Sequence, residues 1–101
     1  MKYNTLVRNK IPEIILKKEG KVPITHIASH AEYQTKLVEK LHEEVKEFAT
    51  SGSIDHLVDI FEVLDALMVA KKIGKRTVKN AQEEKSKERG TFTRRIILDE
   101  A

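Results

Sequence analysis

The fold is decided by residues 39–65, EKLHEEVKEFATSGSIDHLVDIFEVLD, where two helical patterns flank the turn residues Ser51-Gly52-Ser53. Each pattern carries acidic side chains one helical turn apart, and side chains at these offsets share a helix face. The acids are Glu43, Glu44 and Glu47 in the first pattern and Asp55, Asp59 and Glu62 in the second. A link this short predicts an antiparallel helix hairpin with the two acidic clusters facing each other.

The second helix of the hairpin is unusually apolar. Its residues 57–70 contain only three polar side chains, Asp59, Glu62 and Asp65. A helix that is apolar on nearly every side is normally buried, and a buried carboxylate is normally paired, protonated or bound to a metal. The neighbouring helix supplies mostly further acids, with Lys40 and Lys46 too few to pair them all. A divalent cation between the helices would balance this charge.

The acidic clusters predict a metal site. Magnesium prefers oxygen ligands in octahedral geometry, and carboxylates on two facing helices supply such ligands from a rigid frame. The expected ligands are Glu44, Glu47, Asp59 and Glu62, with His56 as a nitrogen ligand that would suit a transition metal such as Mn²⁺. A solvated acidic face remains the alternative, above all for Glu39 and Glu43, and His56 could equally be a plain exposed residue.

Length and composition predict one small cytoplasmic domain spanning residues 1–101. A chain of 101 residues with 40% apolar content builds only a small core, so a homo-oligomer is expected. The sequence contains no cysteine, which excludes disulfides and thiolate metal sites. No apolar run has the character of a signal peptide or the length of a membrane span.

The net charge of +3 conceals an asymmetry. Residues 32–70 hold nine acidic and three basic residues, while the flanks are strongly basic. This suits a metal-bound polyphosphate better than nucleic acid, for which a basic stripe on the central elements would be expected. The candidate phosphate-binding residues are Lys40, Arg8, Lys10, Lys85, Arg89, Arg94 and Arg95.

The remaining patterns complete an all-α fold, a helical bundle around the central hairpin with short extended segments at the termini. Helices are expected over residues 11–18, from the N-cap Ser29 to about 49, over 54–72 and over 77–89. A short β-like segment is expected at 91–98. The core side of the long helix is predicted to carry Leu37, Leu41, Val45 and Phe48.

Several segments resemble one enzyme superfamily. The run Glu43-Glu44-Val45-Lys46-Glu47 followed by Asp59 is similar to the EExxE…ExxD signature of the all-α nucleotide pyrophosphohydrolases. This superfamily includes the MazG-like proteins, the all-α dUTPases and phosphoribosyl-ATP pyrophosphohydrolase. The opening LVRNKIPEII resembles the LVRDKIPEII of one MazG-like branch, as do KLHEEVKEF, DIFEVLDAL and RGTFTRRIIL, so the resemblance extends over almost the whole chain.

The resemblance implies a Mg²⁺-dependent, or Mn²⁺-dependent, enzyme that cleaves a nucleoside triphosphate or related nucleotide between its α and β phosphates. It also implies a homodimer or homotetramer, with helices of both subunits completing the sites. The implied catalytic residues are Glu43, Glu44, Glu47 and Asp59. Two positions depart from the pattern: His56 replaces the glutamate of ExxD, and Asn9 replaces an aspartate beside Arg8.

Three alternatives to an active enzyme follow from the sequence. The first is a non-catalytic relative that still binds nucleotide or metal, with His56 marking the lost activity. The second is an interaction module whose apolar helix is a dimer seam. The third is a basic nucleic-acid binder, which is least favoured because the acidic centre repels phosphates.

Overall fold

A computed structural model describes residues 4–101 and confirms the all-α fold organised around a central helix hairpin. Within these residues the backbone forms helices and loops, with no strand. The four helices are α1 (Ile11–Glu19), α2 (His30–Ser51), α3 (Ile54–Ala70) and α4 (Lys75–Arg89). Packing is most extensive between α2 and α3.

The ends of the hairpin helices follow from local sequence signals. The hydroxyl of Ser29 accepts a hydrogen bond from the backbone N–H of Glu32 at 3.2 Å, which caps α2. Gly52 ends α2 in a left-handed conformation (φ 65°) that side chains with a Cβ rarely adopt. Ser53 then accepts from the N–H of Asp55 at 3.2 Å and caps α3. The tight connection confirms the predicted antiparallel hairpin.

The predicted boundary between α3 and α4 was wrong. A helix was expected over residues 54–72 and the next over 77–89, but α3 ends at Ala70 and Gly74 is the N-cap of α4, which begins at Lys75. The left-handed residue that breaks the chain is Lys72 (φ 58°), and the N–H of Ile73 returns to the carbonyl of Met68 at 2.8 Å. Gly74 lies four residues beyond the end of α3, and glycine is found both after helix ends and at N-caps, so its presence alone did not determine its role.

The core of the described chain is small. Leu37 and Val63 are its buried apolar side chains, at 2% and 8% exposure, and the acid Glu44 lies beside them at 5%. Val45, expected in the core, is 48% exposed. Because α2 packs against a single helix, only a narrow stripe of its apolar side chains is covered.

The expectation that α3 would be buried on nearly every side was wrong for the single chain. Its inner face, marked by Val63, packs on α2. Its outer face is open, with Ile54 at 72%, Val58 at 53% and Phe61 at 61% exposure. Helix α3 thus has an apolar inner face, an apolar outer face and an acidic edge between them.

The flanking segments are more loosely attached. Helix α1 begins with Pro12 in its first turn and ends at the left-handed Gly20 (φ 68°). Helix α4 has no buried residue among those described. The β-like segment predicted at 91–98 is absent from the described chain, where this stretch has a turn closed by the Arg95 N–H and Phe92 carbonyl at 3.1 Å. In residues 4–101, no helix is long and apolar enough to cross a membrane.

Candidate metal centre

Glu44 is the structural centre of the candidate site. It lies on the face of α2 that packs on α3, and its side chain is only 6% exposed. Its Oε2 lies 3.0 Å from Nδ1 of His56, and the same nitrogen lies 3.1 Å from Oε2 of Glu47. The imidazole of α3 therefore bridges two carboxylates of α2, and one buried carboxylate is paired across the hairpin.

Two overlapping groups of side chains could each hold a cation. Glu44, His56 and Asp59 form the first group, and Glu43, Glu44 and Glu47 form the second. Within each group the potential ligand atoms lie within 4.8 Å of one another. Glu44 belongs to both groups, so a single ion or a pair of ions would be organised around its carboxylate. These residues fit a metal because they combine hard carboxylate oxygens with one imidazole nitrogen.

The environment of His56 favours its protonated form. The hydrogen bond to Glu44 raises the pKa of His56 above its usual 6.5, and the negative charges of Glu47, Glu44 and Asp59 act in the same direction. Desolvation acts in the opposite direction but does not cancel these effects. An imidazolium can therefore balance part of the acidic charge here in the absence of a metal.

Arg8 contacts the acidic edge of α3 from the N-terminal segment. One of its terminal nitrogens lies 2.7 Å from Oδ1 of Asp59, and the other lies 3.8 Å from Oε1 of Glu62. Arg8 was predicted to be a phosphate ligand, and Asn9 follows it where the sequence pattern that this chain resembles has an aspartate. The structure gives the guanidinium two acidic partners on α3 instead. Asp59 therefore pairs with the guanidinium of Arg8 and also belongs to the candidate metal-binding group with Glu44 and His56.

Lys40 lies beside the acids of its own helix. Its Nζ is 3.7 Å from Glu43 and 4.0 Å from Glu44, at i+3 and i+4 spacing. An adjoining cavity of about 380 Å³ lies between α2 and the N-terminal segment, and Lys36 and Lys40 both line it. Lys36 also donates to the carbonyl of Asn4 at 3.0 Å. Lys36 was not among the predicted phosphate-binding residues, although its position one turn before Lys40 could have indicated it.

A second cavity opens directly beside the acidic cluster. Its volume is about 500 Å³. Its lining combines carboxylates, an imidazole, a lysine and two hydroxyl groups, contributed by Glu43, Lys46, Glu47, Thr50, Ser51 and His56. Three members of the candidate groups, Glu43, Glu47 and His56, therefore border this open surface recess, which Glu44 and Asp59 do not line.

The remaining predicted residues lie outside the acidic groups. Among the described residues, Glu62 contacts Arg8 but joins neither of the two candidate groups. The other predicted phosphate ligands make no ion pair with the site within residues 4–101, and they are Lys10, Lys85, Arg89, Arg94 and Arg95. Four of these residues lie on α4 (Lys85 and Arg89) or in the C-terminal segment after it (Arg94 and Arg95), which packs little on the hairpin.

Comparisons of this chain with protein-family models, curated proteins and solved structures found no match. A function can therefore be inferred only from the side chains of the site and from the sequence resemblance described above.

Proposed function

We propose that this protein is a metal-dependent nucleotide pyrophosphohydrolase that cleaves a nucleoside triphosphate, or a related nucleotide, between the α and β phosphates. The observation that carries the proposal is the convergence of Glu44, Glu47, His56 and Asp59 where α2 packs on α3. Such a concentration of acids beside a buried glutamate is costly unless a cation balances it. The EExxE resemblance supplies the reaction class.

The ligand set fits Mg²⁺ or Mn²⁺. Glu44 and Asp59 would supply oxygen ligands from opposite helices, with Glu47 and Glu43 on the adjacent turn and face of α2. His56 adds a nitrogen, which Mn²⁺ accepts more readily than Mg²⁺ does. The chemistry that a divalent ion would supply, when held by these residues, is stabilisation of phosphate charge and a more acidic water.

Side chains of the protein would bind the phosphate groups and would orient or deprotonate the attacking water. Lys40, on the face of α2 shared with Glu44, would attract phosphate oxygens as a point charge. Arg8 would grip a phosphate bidentately after exchanging its contact with Asp59 for one with substrate. One of the carboxylates not engaged in ligation, such as Glu43 or Glu47, would orient or deprotonate the attacking water.

The test is pyrophosphate release from a panel of nucleoside triphosphates in Mg²⁺, in Mn²⁺ and in EDTA. We expect metal-dependent release by the parent protein and its loss in Asp59→Asn. The matched control is Asp65→Asn, because Asp65 is also an α3 acid but pairs with Lys75 at 3.4 Å outside both candidate groups. Release that persists in Asp59→Asn, or that EDTA leaves unchanged, would overturn the proposal.

One observation favours a second candidate, a relative that binds nucleotide or metal without hydrolysing it. His56 already satisfies Glu44 and Glu47 at 3.0 and 3.1 Å, so the acidic cluster is partly neutralised without any ion. In this case the parent releases no pyrophosphate, whereas His56→Glu, which restores the ExxD pattern, gains metal-dependent release. Multiple turnovers by the parent protein exclude this candidate.

A further inference from the structure

A single chain leaves much more surface exposed than a compact protein of its mass. Its accessible surface is 9,508 Å², whereas a folded monomer of 11.6 kDa would expose about 5,800 Å². Its radius of gyration is 17.9 Å, against about 13 Å for a compact domain of this length. The excess of about 3,700 Å² is larger than the roughly 1,000–2,500 Å² that each member of an obligate complex buries, so a partner surface can account for part of it.

Part of this excess is the outer face of α3. Ile54, Val58, Phe61 and Leu64 recur at helical spacing along this face, and all four are exposed. Phe61 lies at its centre with 61% of its surface open. A continuous apolar face on one side of a helix normally marks an interaction surface.

The other part lies at the C-terminus. Phe92 is 97% exposed, and Ile96, Ile97 and Leu98 are 73 to 79% exposed. These four side chains follow α4, which contributes no buried residue in the described chain. Apolar side chains so exposed, on a segment without helix or strand, need a surface to cover them.

The two open surfaces have complementary charges. Helix α3 contains Asp55, Asp59, Glu62 and Asp65 but no lysine or arginine. Residues 75–98 contain eight lysines and arginines against three glutamates, a net charge of +5. Opposite potentials favour the pairing of these two surfaces, whereas two α3 faces brought together would place acids beside acids.

We propose that the protein is a homodimer in which residues 75–98 of each copy lie across the outer face of α3 of the other copy. The exchange is reciprocal, so a twofold axis relates the two contacts and closes the assembly. Phe92 and Ile96 to Leu98 would cover Val58 and Phe61, with Arg94 and Arg95 beside the acidic edge of α3. The proposed contact requires neither a metal nor a substrate, so its test is independent of the proposed activity.

Disulfide trapping tests the contact directly, because the chain has no native cysteine. Two single variants, Phe61→Cys and Ile97→Cys, are mixed in reduced form, allowed to exchange subunits and then oxidised. Both positions are exposed in the single chain, so neither change disturbs the hairpin core. The control pair is Phe61→Cys with Thr50→Cys, an exposed position at the end of α2.

The expected product is a disulfide between the two different variants, formed at least tenfold more than in the control pair. A link between two Phe61→Cys chains in preference would place α3 against α3 and would overturn the proposal. Equal yields in the test and control pairs, which indicate random collision, would also overturn it.

Mass measurement in solution gives an independent test. The parent should have twice the mass of one chain by light scattering after size exclusion, and Phe92→Asp should shift it to the mass of one chain at equal concentration. Thr25→Asp introduces the same charge at an exposed position outside both proposed surfaces and should leave the dimer intact. A monomeric parent, or a dimer that Phe92→Asp leaves unchanged, would overturn the proposal.

Discussion

The α2–α3 hairpin and the segment from Lys75 to the C-terminus differ in how they are stabilised within one chain. The hairpin contains the buried side chains Leu37, Val63 and Glu44, a serine cap at the start of each helix and ion pairs across its seam. The C-terminal segment has none of its described residues buried, and α4 begins without a side-chain cap. Regular backbone hydrogen bonding is common to both regions, but tertiary packing is concentrated in one.

This difference shows that helix formation and helix burial depend on different features of a sequence. Helix α4 contains good helix formers and has a glycine at each end, and these local features favour helix formation. Its thin apolar content gives it little to pack. Such a helix needs contacts with another surface for its stability. The exposed apolar side chains that follow α4, from Phe92 to Leu98, are the residues that such a surface would cover.

Amide hydrogen exchange should show the largest contrast between the two regions. Well below the concentration at which the proposed dimer would dissociate, we expect amides of α4 to exchange about 100-fold faster than those at the centre of α2, because few tertiary contacts protect them. Raising the concentration should protect α4 selectively. Equal protection of both helices in the dilute protein would show that α4 is already packed within one chain.

Leu37→Ala should remove much of the stability of the hairpin. Leu37 is 2% exposed, and truncating a buried leucine costs about 2–5 kcal/mol of the free energy of unfolding. Val45→Ala, on the exposed side of the same helix, should cost less than about 1 kcal/mol. Urea denaturation at one fixed protein concentration measures both, and similar losses would contradict the assignment of the core.

Ser53→Ala should destabilise the hairpin by about 1 kcal/mol, since it removes the hydroxyl that caps α3. Ser86→Ala, in the interior of α4, should be neutral or slightly stabilising because alanine has the higher helix propensity. Thermal unfolding of the two variants compares them. A loss at Ser86 equal to that at Ser53 would mean that its hydroxyl makes a contact comparable to the cap.

The smallest effect is the pH dependence from His56. Its pKa is raised in the folded protein, so protonation favours folding. This contribution is full below the unfolded pKa of about 6.5 and disappears as the pH rises through the folded pKa.

The melting temperature of the parent relative to His56→Gln, measured in EDTA, should therefore fall between mildly acidic and alkaline pH. His42→Gln removes an exposed imidazole of α2 and serves as the control. A difference between parent and His56→Gln that grows as the pH rises would contradict the assigned direction.

Local signals in the sequence were sufficient for the hairpin. Ser29, Gly52 and Ser53 act within a few residues of their own positions, so their roles could be predicted without knowledge of the tertiary structure. Helical spacing also placed Glu44 and Glu47 on one face of α2. The structure adds that one nitrogen of His56 contacts both carboxylates, which spacing alone could not determine.

Contacts between distant residues could not be predicted in this way. Arg8 and Asp59 are 51 residues apart, and nothing in either local pattern indicates their 2.7 Å contact. For a related reason the sequence left two roles open for α3, burial within one chain and a seam between two chains. The apolar composition of a helix indicates that its surface is buried. Composition does not distinguish burial by the same chain from burial by a second chain.

The closeness of Glu44 and His56 in sequence also affects how the protein would fold. Only twelve residues separate these two, and the entropy lost on closing a loop grows with its length. Proteins rich in such local contacts fold faster than those dominated by distant ones. The centre of the candidate site should therefore form in an early, unimolecular phase of refolding. Pairing of two chains should follow in a phase whose rate increases with protein concentration.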